Sequence, residues 1–148
     1  METKRKENVD ALSKKGACIE FFSAYQDMDI DRMINICNPE GEIFFEPLGE
    51  AGKGKIGEFG KNLWLALMDA FPDLDNTVIK AEMNDVQDTV TCTVSIFGTQ
   101  EKEFAGIPSK GNRFESDHVF VFRFNENEKI DTINIRWDHE RFVQQLTA

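Results

Sequence analysis

Cysteine, histidine, tyrosine and basic residues are all scarce in this chain, and each scarcity excludes something. Three cysteines, Cys18, Cys37 and Cys92, are odd in number and widely spaced along 148 residues. They make neither a disulfide framework nor a zinc ribbon, and free buried thiols of a reducing compartment are the expectation. Only two histidines occur, His118 and His139, with no metal-ligand spacing to each other or to a cysteine, so no metal is expected. A Gly-x-Ser-x-Gly elbow is absent, which argues against a serine nucleophile. Gly52-Lys53-Gly54-Lys55 lacks the spacing of a phosphate-binding loop and its following Ser or Thr. Lys and Arg number 17 against 27 Asp and Glu, a net charge of −10, and the excess is spread evenly over both halves. With no cluster of basic residues to neutralise phosphates, nucleic acid is not an expected partner. No apolar run is long enough for a membrane span. Met1 to Asn8 is polar and charged, without the apolar core of a signal peptide, so a cytoplasmic location is expected.

What the chain does have is phenylalanine: 13 Phe against 2 Trp and 1 Tyr, within a hydrophobic fraction of 41%. Such an interior offers few hydroxyls. Polar residues on its inward faces stand out, because burying them costs free energy unless they are paired.

Periodicity places one domain over residues 8–148, preceded by a disordered tail over residues 1–7. The spacing predicts a helix from about Glu7 to Gln26, with Val9, Leu12, Ile19 and Phe22 on one stripe and Cys18, Phe21 and Tyr25 beside it. A short helix follows Asp29, a suitable N-cap, and stops at Asn38-Pro39. A strand over Glu42–Glu46 is cut by Pro47, and a third helix spans about Lys55–Ala70. The period then changes to two. Strands are expected over about Asp75–Met83, Val86–Ile96, Arg113–Phe124 and Lys129–Asp138, and a terminal helix carries Phe142, Val143 and Leu146. Helices gathered before a meander give an α+β fold. Its expected form is a cone-shaped, curved antiparallel sheet, with three helices from the N-terminal half on the concave face and a short C-terminal helix. The mouth of such a cone is a natural pocket.

Side-chain parity nominates the pocket residues. On Arg113–Phe124 the even positions carry Phe114, Phe120, Phe122 and Phe124, so Ser116 and His118 face inward with them. Ile133, Ile135 and Trp137 form the inward set of the last strand. Ile43, Phe44 and Phe45 leave the phase of their strand open; if Phe44 faces in, Glu46 does too. Glu46, flanked by Phe45 and Pro47, would then be partly desolvated and suited to general-base work. Its alternative is a solvated strand-end carboxylate or the partner of a nearby lysine. His118 is either a base or ligand contact or a satisfied core residue. Tyr25 either donates its hydroxyl into the pocket or caps the core. Trp64 and Trp137 are core or pocket wall.

The order of elements, together with a set of short motifs, resembles a known family. The motifs are Ala24-Tyr25 before a short acidic loop, Ala70-Phe71-Pro72-Asp73-Leu74, Gly98-Thr99-Gln100, Phe104-Ala105-Gly106-Ile107-Pro108, and Trp137-Asp138 with Gln145-Leu146. Over nearly the whole chain they resemble the SnoaL-like polyketide and ester cyclases of the nuclear transport factor 2-like superfamily, which also holds the ketosteroid isomerases. In that alignment the cyclases' acid/base Asp falls on Ile135 and their pocket His on Phe120, with His118 two residues earlier on the same face. Tyr25 matches a pocket aromatic. Glu46-Pro47-Leu48-Gly49 resembles the isomerases' catalytic acid and its Pro-x-Gly, whereas their oxyanion-hole acid and Tyr fall on Phe120 and Phe21.

The resemblance implies an isomerase or cyclase that takes a proton from the carbon beside a carbonyl of a small apolar molecule, a reaction that needs no cofactor. Glu46 is the expected base, and His118 and Tyr25 are expected to steady the oxyanion. Phe21, Phe44, Trp64, Phe120, Phe122, Ile135 and Trp137 are expected to hold the substrate. The alternative is a non-catalytic ligand-binding or dimerisation module on the same fold. A homodimer is expected through the outer sheet face, where Val119, Val121, Thr91 and Thr93 offer little charge.

Overall fold

A computed structural model describes residues 2–148, with side chains from residue 13 onward. Residues 2–7, expected as part of a disordered tail, begin the first helix, and the side chains of Val9 and Leu12 lie outside the part so described.

Helix α1 (Glu2–Gln26) is followed by α2 (Ile30–Asn35). On α1 the buried face is Cys18, Phe21, Phe22 and Tyr25, an i, i+3, i+4, i+7 stripe. Ile19, expected on that stripe, is 47% exposed, because it lies one residue around the helix from Cys18. Met28 closes α1 with a left-handed backbone (φ 55), which lets the Asp29 amide reach the Ala24 carbonyl at 2.9 Å. Asp29 then caps α2 by accepting from the Arg32 amide at 3.2 Å.

Strand β1 (Cys37–Phe45) starts five residues before its expected origin and runs through Asn38-Pro39. Its first part is bulged against its neighbour, which is how a proline is accommodated there. At Gly41 a Cβ would collide with the Asp131 carbonyl, so only glycine fits. A 3₁₀ segment (Glu46–Gly52), a short strand β2 (Lys53–Lys55) and one π-helical turn (Ile56–Gly60) lead into α3 (Lys61–Ala70). The sheet is completed by β3 (Asp75–Asn84), β4 (Thr89–Thr99), β5 (Arg113–Phe124) and β6 (Ile130–Arg136), and α4 (His139–Thr147) ends the chain. Val86, expected at the start of a strand, is 96% exposed in the β3–β4 turn.

The six strands lie in the order β2-β1-β6-β5-β4-β3. All neighbours are antiparallel except β1 and β6, which pair in parallel. That one parallel pair departs from the expected antiparallel sheet; it arises because β6 returns beside the first strand. The fold is an α+β sheet, curved and open, with helices on one face and a short C-terminal helix, as expected. Phe21 and Phe22 of α1 pack edge-to-face on Phe122 and Phe120 of β5, at centroid distances of 5.3 and 4.9 Å. The three cysteines are free and buried. Among the described residues no helix is long and apolar enough to cross a membrane, and no group of side chains is placed to hold a metal.

Candidate functional site

Alternation along β5 and β6 turns Phe114, His118 and Phe120, and Ile133 and Ile135, toward the helices. Between that surface, the end of α1, α3 and α4 lies an apolar cavity with about 80 Å³ of free space, against about 30 Å³ for one water molecule in the liquid. Tyr25, Trp64, His118, Phe120, Ile135 and Trp137 of the expected set all line it. Its rim is Leu48 from the 3₁₀ segment and Phe104-Ala105 from the β4–β5 loop.

That loop is itself a small hairpin. Phe104 and Ile107 exchange backbone hydrogen bonds of 3.1 and 2.8 Å across Ala105 (φ 50) and Gly106 (φ 80). Two successive left-handed residues are what a two-residue hairpin turn requires. Fully buried Gln100 holds the hairpin down, its Nε2 donating to the Lys102 and Ile107 carbonyls at 3.0 and 2.7 Å.

Two expected site residues are elsewhere. Phe44 faces the convex side of the sheet, where Lys53 Nζ lies 4.9 Å from its ring centroid. Glu46 turns to the same side. It accepts from Asn134 Nδ2 at 2.8 Å and lies 3.6 Å from Arg136 Nε. Neither lines the cavity, so the expected convergence of Glu46 with His118 and Tyr25 does not occur. The reason is the phase of β1: Ile43 and Phe45 are the buried pair, opposite Ile133 and Ile135 of β6. Glu40 and Glu42 already mark the even positions as solvent-facing. Phe21 and Phe122 are fully buried beneath the wall and packed on each other, and Phe21 also packs on Trp64.

Apart from the two indoles, three polar side chains line the cavity among the described residues: Tyr25, His118 and His139. Tyr25 is 2% exposed, and its Oη has no hydrogen-bond partner among the described residues. Burial pushes its phenol well above the usual range, so it keeps its proton. His118 Nδ1 lies 3.2 Å from the Ser116 carbonyl oxygen and 3.4 Å from Ser116 Oγ. A carbonyl can only accept, so the nearer contact assigns the ring proton to Nδ1 and leaves a lone pair on Nε2. Burial holds the His118 pKa down at about 4, partly offset by that carbonyl, and the ring is neutral at pH 7. Trp137 stacks on His118 at 5.3 Å.

His139 was not singled out from sequence. The signal was there: with Phe142 and Leu146 it forms the i, i+3, i+7 stripe of an amphipathic helix. Phe45, Phe104, Phe114 and Phe142 complete the aromatic lining.

The comparisons agree on the architecture. A family model described as SnoaL-like polyketide cyclase matches residues 53–146. No curated protein matches the chain. A candidate SnoaL-like polyketide cyclase from Jannaschia sp. CCS1 superposes with a TM-score of 0.80 at 17% identity, over 92% of each chain. IdmH, a candidate polyketide cyclase from Streptomyces antibioticus, gives 0.75 at 21% identity, over 91% of this chain and 99% of that one. AclR, a candidate hydroxylase from Streptomyces galilaeus, gives 0.76 at 21% identity, over 90% and 95%. At these identities the likeness is one of fold, and a hydroxylase among the neighbours marks how little the fold alone decides.

Proposed function

The chain belongs to the SnoaL-like polyketide cyclase family, and we propose that its cavity takes a small, apolar molecule containing a 1,3-dicarbonyl unit and removes a proton from the carbon between those carbonyls. The observation that carries this reading is the pairing, in one apolar cavity, of a neutral histidine with a free Nε2 lone pair and a buried tyrosine with an unpartnered hydroxyl. His118 Nε2 takes the proton. The C–H electron pair passes into the enolate, and the Tyr25 hydroxyl donates a hydrogen bond to its oxygen. Return of the proton from His118 to another carbon completes an isomerisation. Attack of the enolate carbon on a further carbonyl of the same molecule, outside the acidifying pair, with the proton of His118 passing to the new alkoxide, completes a ring closure. Both routes begin and end with neutral His118, and neither calls for a redox or metal cofactor.

A histidine whose conjugate acid titrates near 4 is a weak base. A C–H between two carbonyls, acidified by both, is matched to it far better than the C–H of a simple ketone. The limited free space favours a compact molecule, or one that displaces Leu48 and the Phe104-Ala105 hairpin on entry. Three buried free thiols fit the reducing cytoplasm as its compartment.

One observation favours the alternative, a non-catalytic binding module: no carboxylate lines the cavity among the described residues. Deuterium exchange at C2 of ethyl acetoacetate in D₂O separates the two. Catalysis predicts acceleration by the wild type that falls at least ~100-fold in His118→Gln and ~10-fold or more in Tyr25→Phe. Binding without any acceleration of exchange would establish the module instead.

A further inference from the structure

His139 is the third polar group of the cavity, and the proposed proton abstraction leaves it without a task. Its position is set by two contacts. The Trp137 indole Nε1–H points at His139 Nδ1, 3.3 Å away, and the imidazole stacks on Phe142 at 5.8 Å with planes 21° apart. An indole N–H can only donate, so Nδ1 must be the acceptor and the ring proton is on Nε2. His139 is also the first residue of α4, after the N-cap Asp138.

The two histidines are thereby held in opposite tautomers. The Ser116 carbonyl gives His118 a bare Nε2; the Trp137 indole gives His139 a protonated one. Trp137 links them, one face stacked on His118 and its N–H bonded to His139. Neither Nε2 has a hydrogen-bond partner among the described residues, and both rings line the cavity.

We propose that His139 is a second oxyanion donor, acting on a carbonyl oxygen distinct from the one served by Tyr25, and that Trp137 is the positioning residue that fixes its tautomer. This rests on the reading of the cavity given above and narrows it. Tyr25 stands beside Trp64 and Phe21, whereas His139 stands beside Phe142. Donors from two different walls suit a molecule with a further carbonyl beyond the pair that acidifies the C–H, which is what ring closure needs and isomerisation does not. As the enolate carbon bonds to that further carbonyl carbon, the carbonyl π pair moves to oxygen. His139 Nε2–H hydrogen-bonds that oxygen and keeps its own proton. The proton taken by His118 is the one delivered to the alkoxide, so the site returns to its starting state.

Ring ¹⁵N spectra of the full-length protein test the assignment without turnover. The expected result is Nδ1–H for His118, Nε2–H for His139, and a mixed tautomer at His139 in Trp137→Phe. Ethyl 3,5-dioxohexanoate, which carries a third carbonyl, is expected to shift the His139 Nε2 resonance, and His139→Phe to weaken its binding about tenfold, the loss of one hydrogen bond. His139→Gln, which keeps an N–H donor, should recover most of that affinity. Nδ1–H at His139, or wild-type affinity in His139→Phe, overturns the proposal. Deuterium exchange reports on His118 as base and the ring spectra on His139 as donor, so either can fail while the other stands.

Discussion

Trp137 lies nearly parallel to His118, ring centroids 5.3 Å apart and planes 21° from coplanar, while its indole N–H is turned 3.3 Å away toward His139. One residue at the end of the last strand thus orders both imidazoles of the cavity. Trp137→Phe keeps the stacking surface but removes the donor. It is expected to leave exchange by His118 within about threefold of wild type while loosening His139, a split that a purely structural role for Trp137 would not produce. Tyr25→Phe, by contrast, should slow exchange with little change in the His139 ring spectrum.

Glu46 gives the reverse expectation. Its carboxylate is spent on Asn134 and Arg136 on the convex face. Glu46→Gln should leave exchange of ethyl acetoacetate unchanged and cost less than about 1 kcal/mol of stability, the usual range for a solvent-screened ion pair. A drop in exchange comparable to that of His118→Gln would mean that the carboxylate reaches the cavity after all.

The two outcomes bear on what the sequence makes legible. Element types are written in periods, and those of α3, β4, β5 and β6 are regular enough to read. The phase of β1 is harder, because three consecutive apolar residues, Ile43, Phe44 and Phe45, satisfy either face; the acidic pair Glu40 and Glu42 resolves it only once the strand is known to begin at Cys37. Parity found His118 from four phenylalanines on one strand. It could not find His139, which follows the last strand and reaches the cavity through the turn into α4. Nor could it find Phe104, which comes to the rim only through a hairpin inside an irregular loop. The parallel pairing of β1 with β6 is a long-range choice that no local pattern carries.

Acid should expose the cost of burying His118. Its pKa is about 4 in the folded chain, by burial, against about 6.5 when unfolded. Between those values the unfolded state binds more protons, so stability falls as the pH falls through that window and is indifferent to His118 above it. Urea unfolding of wild type should lose about 2 kcal/mol more than His118→Phe between pH 7 and pH 4.5. Asp73 does not confuse the comparison. The Thr99 amide that it accepts from lowers its pKa, so its own loss of stability falls at still lower pH.

Gln100 fastens the rim. Its side-chain amide donates to two carbonyls of the 100–109 loop, and its main-chain carbonyl accepts from Ser109 Oγ at 2.8 Å. Gln100→Leu fills the volume but leaves the Lys102 and Ile107 carbonyls short of a donor, at a cost of about 2 kcal/mol. Amide hydrogen exchange should rise at Phe104 and Ile107, whose mutual hydrogen bonds close the hairpin. Ligand association should be faster as well, because the hairpin forms part of the cavity's rim.

The outer sheet face supplies the last expectation. Thr91 stands opposite Val121, and Thr93 opposite Val119, in the β4–β5 register. These four side chains form one block on the face away from the helices, half-buried only by their strand neighbours. Charges begin just beyond it, at Asp117 and Arg123 on the same strand and at Arg136 on the next. A block of β-branched side chains inside a charged rim is the pattern of an association surface, with desolvation at the centre and ion pairs at the edge setting orientation. Two copies meeting across a twofold axis would bury both blocks and let Arg123 or Arg136 of one copy face Glu115 or Asp117 of the other. A few exposed valines are also ordinary on a monomer, so the measurement has to decide. Sedimentation at micromolar concentration should give twice the chain mass of 16.9 kDa. Val121→Lys puts a charge at the centre of the block and should return the chain to a single species at its own mass. A wild type that sediments as a monomer refutes the association; a dimer that survives Val121→Lys refutes this surface as its site.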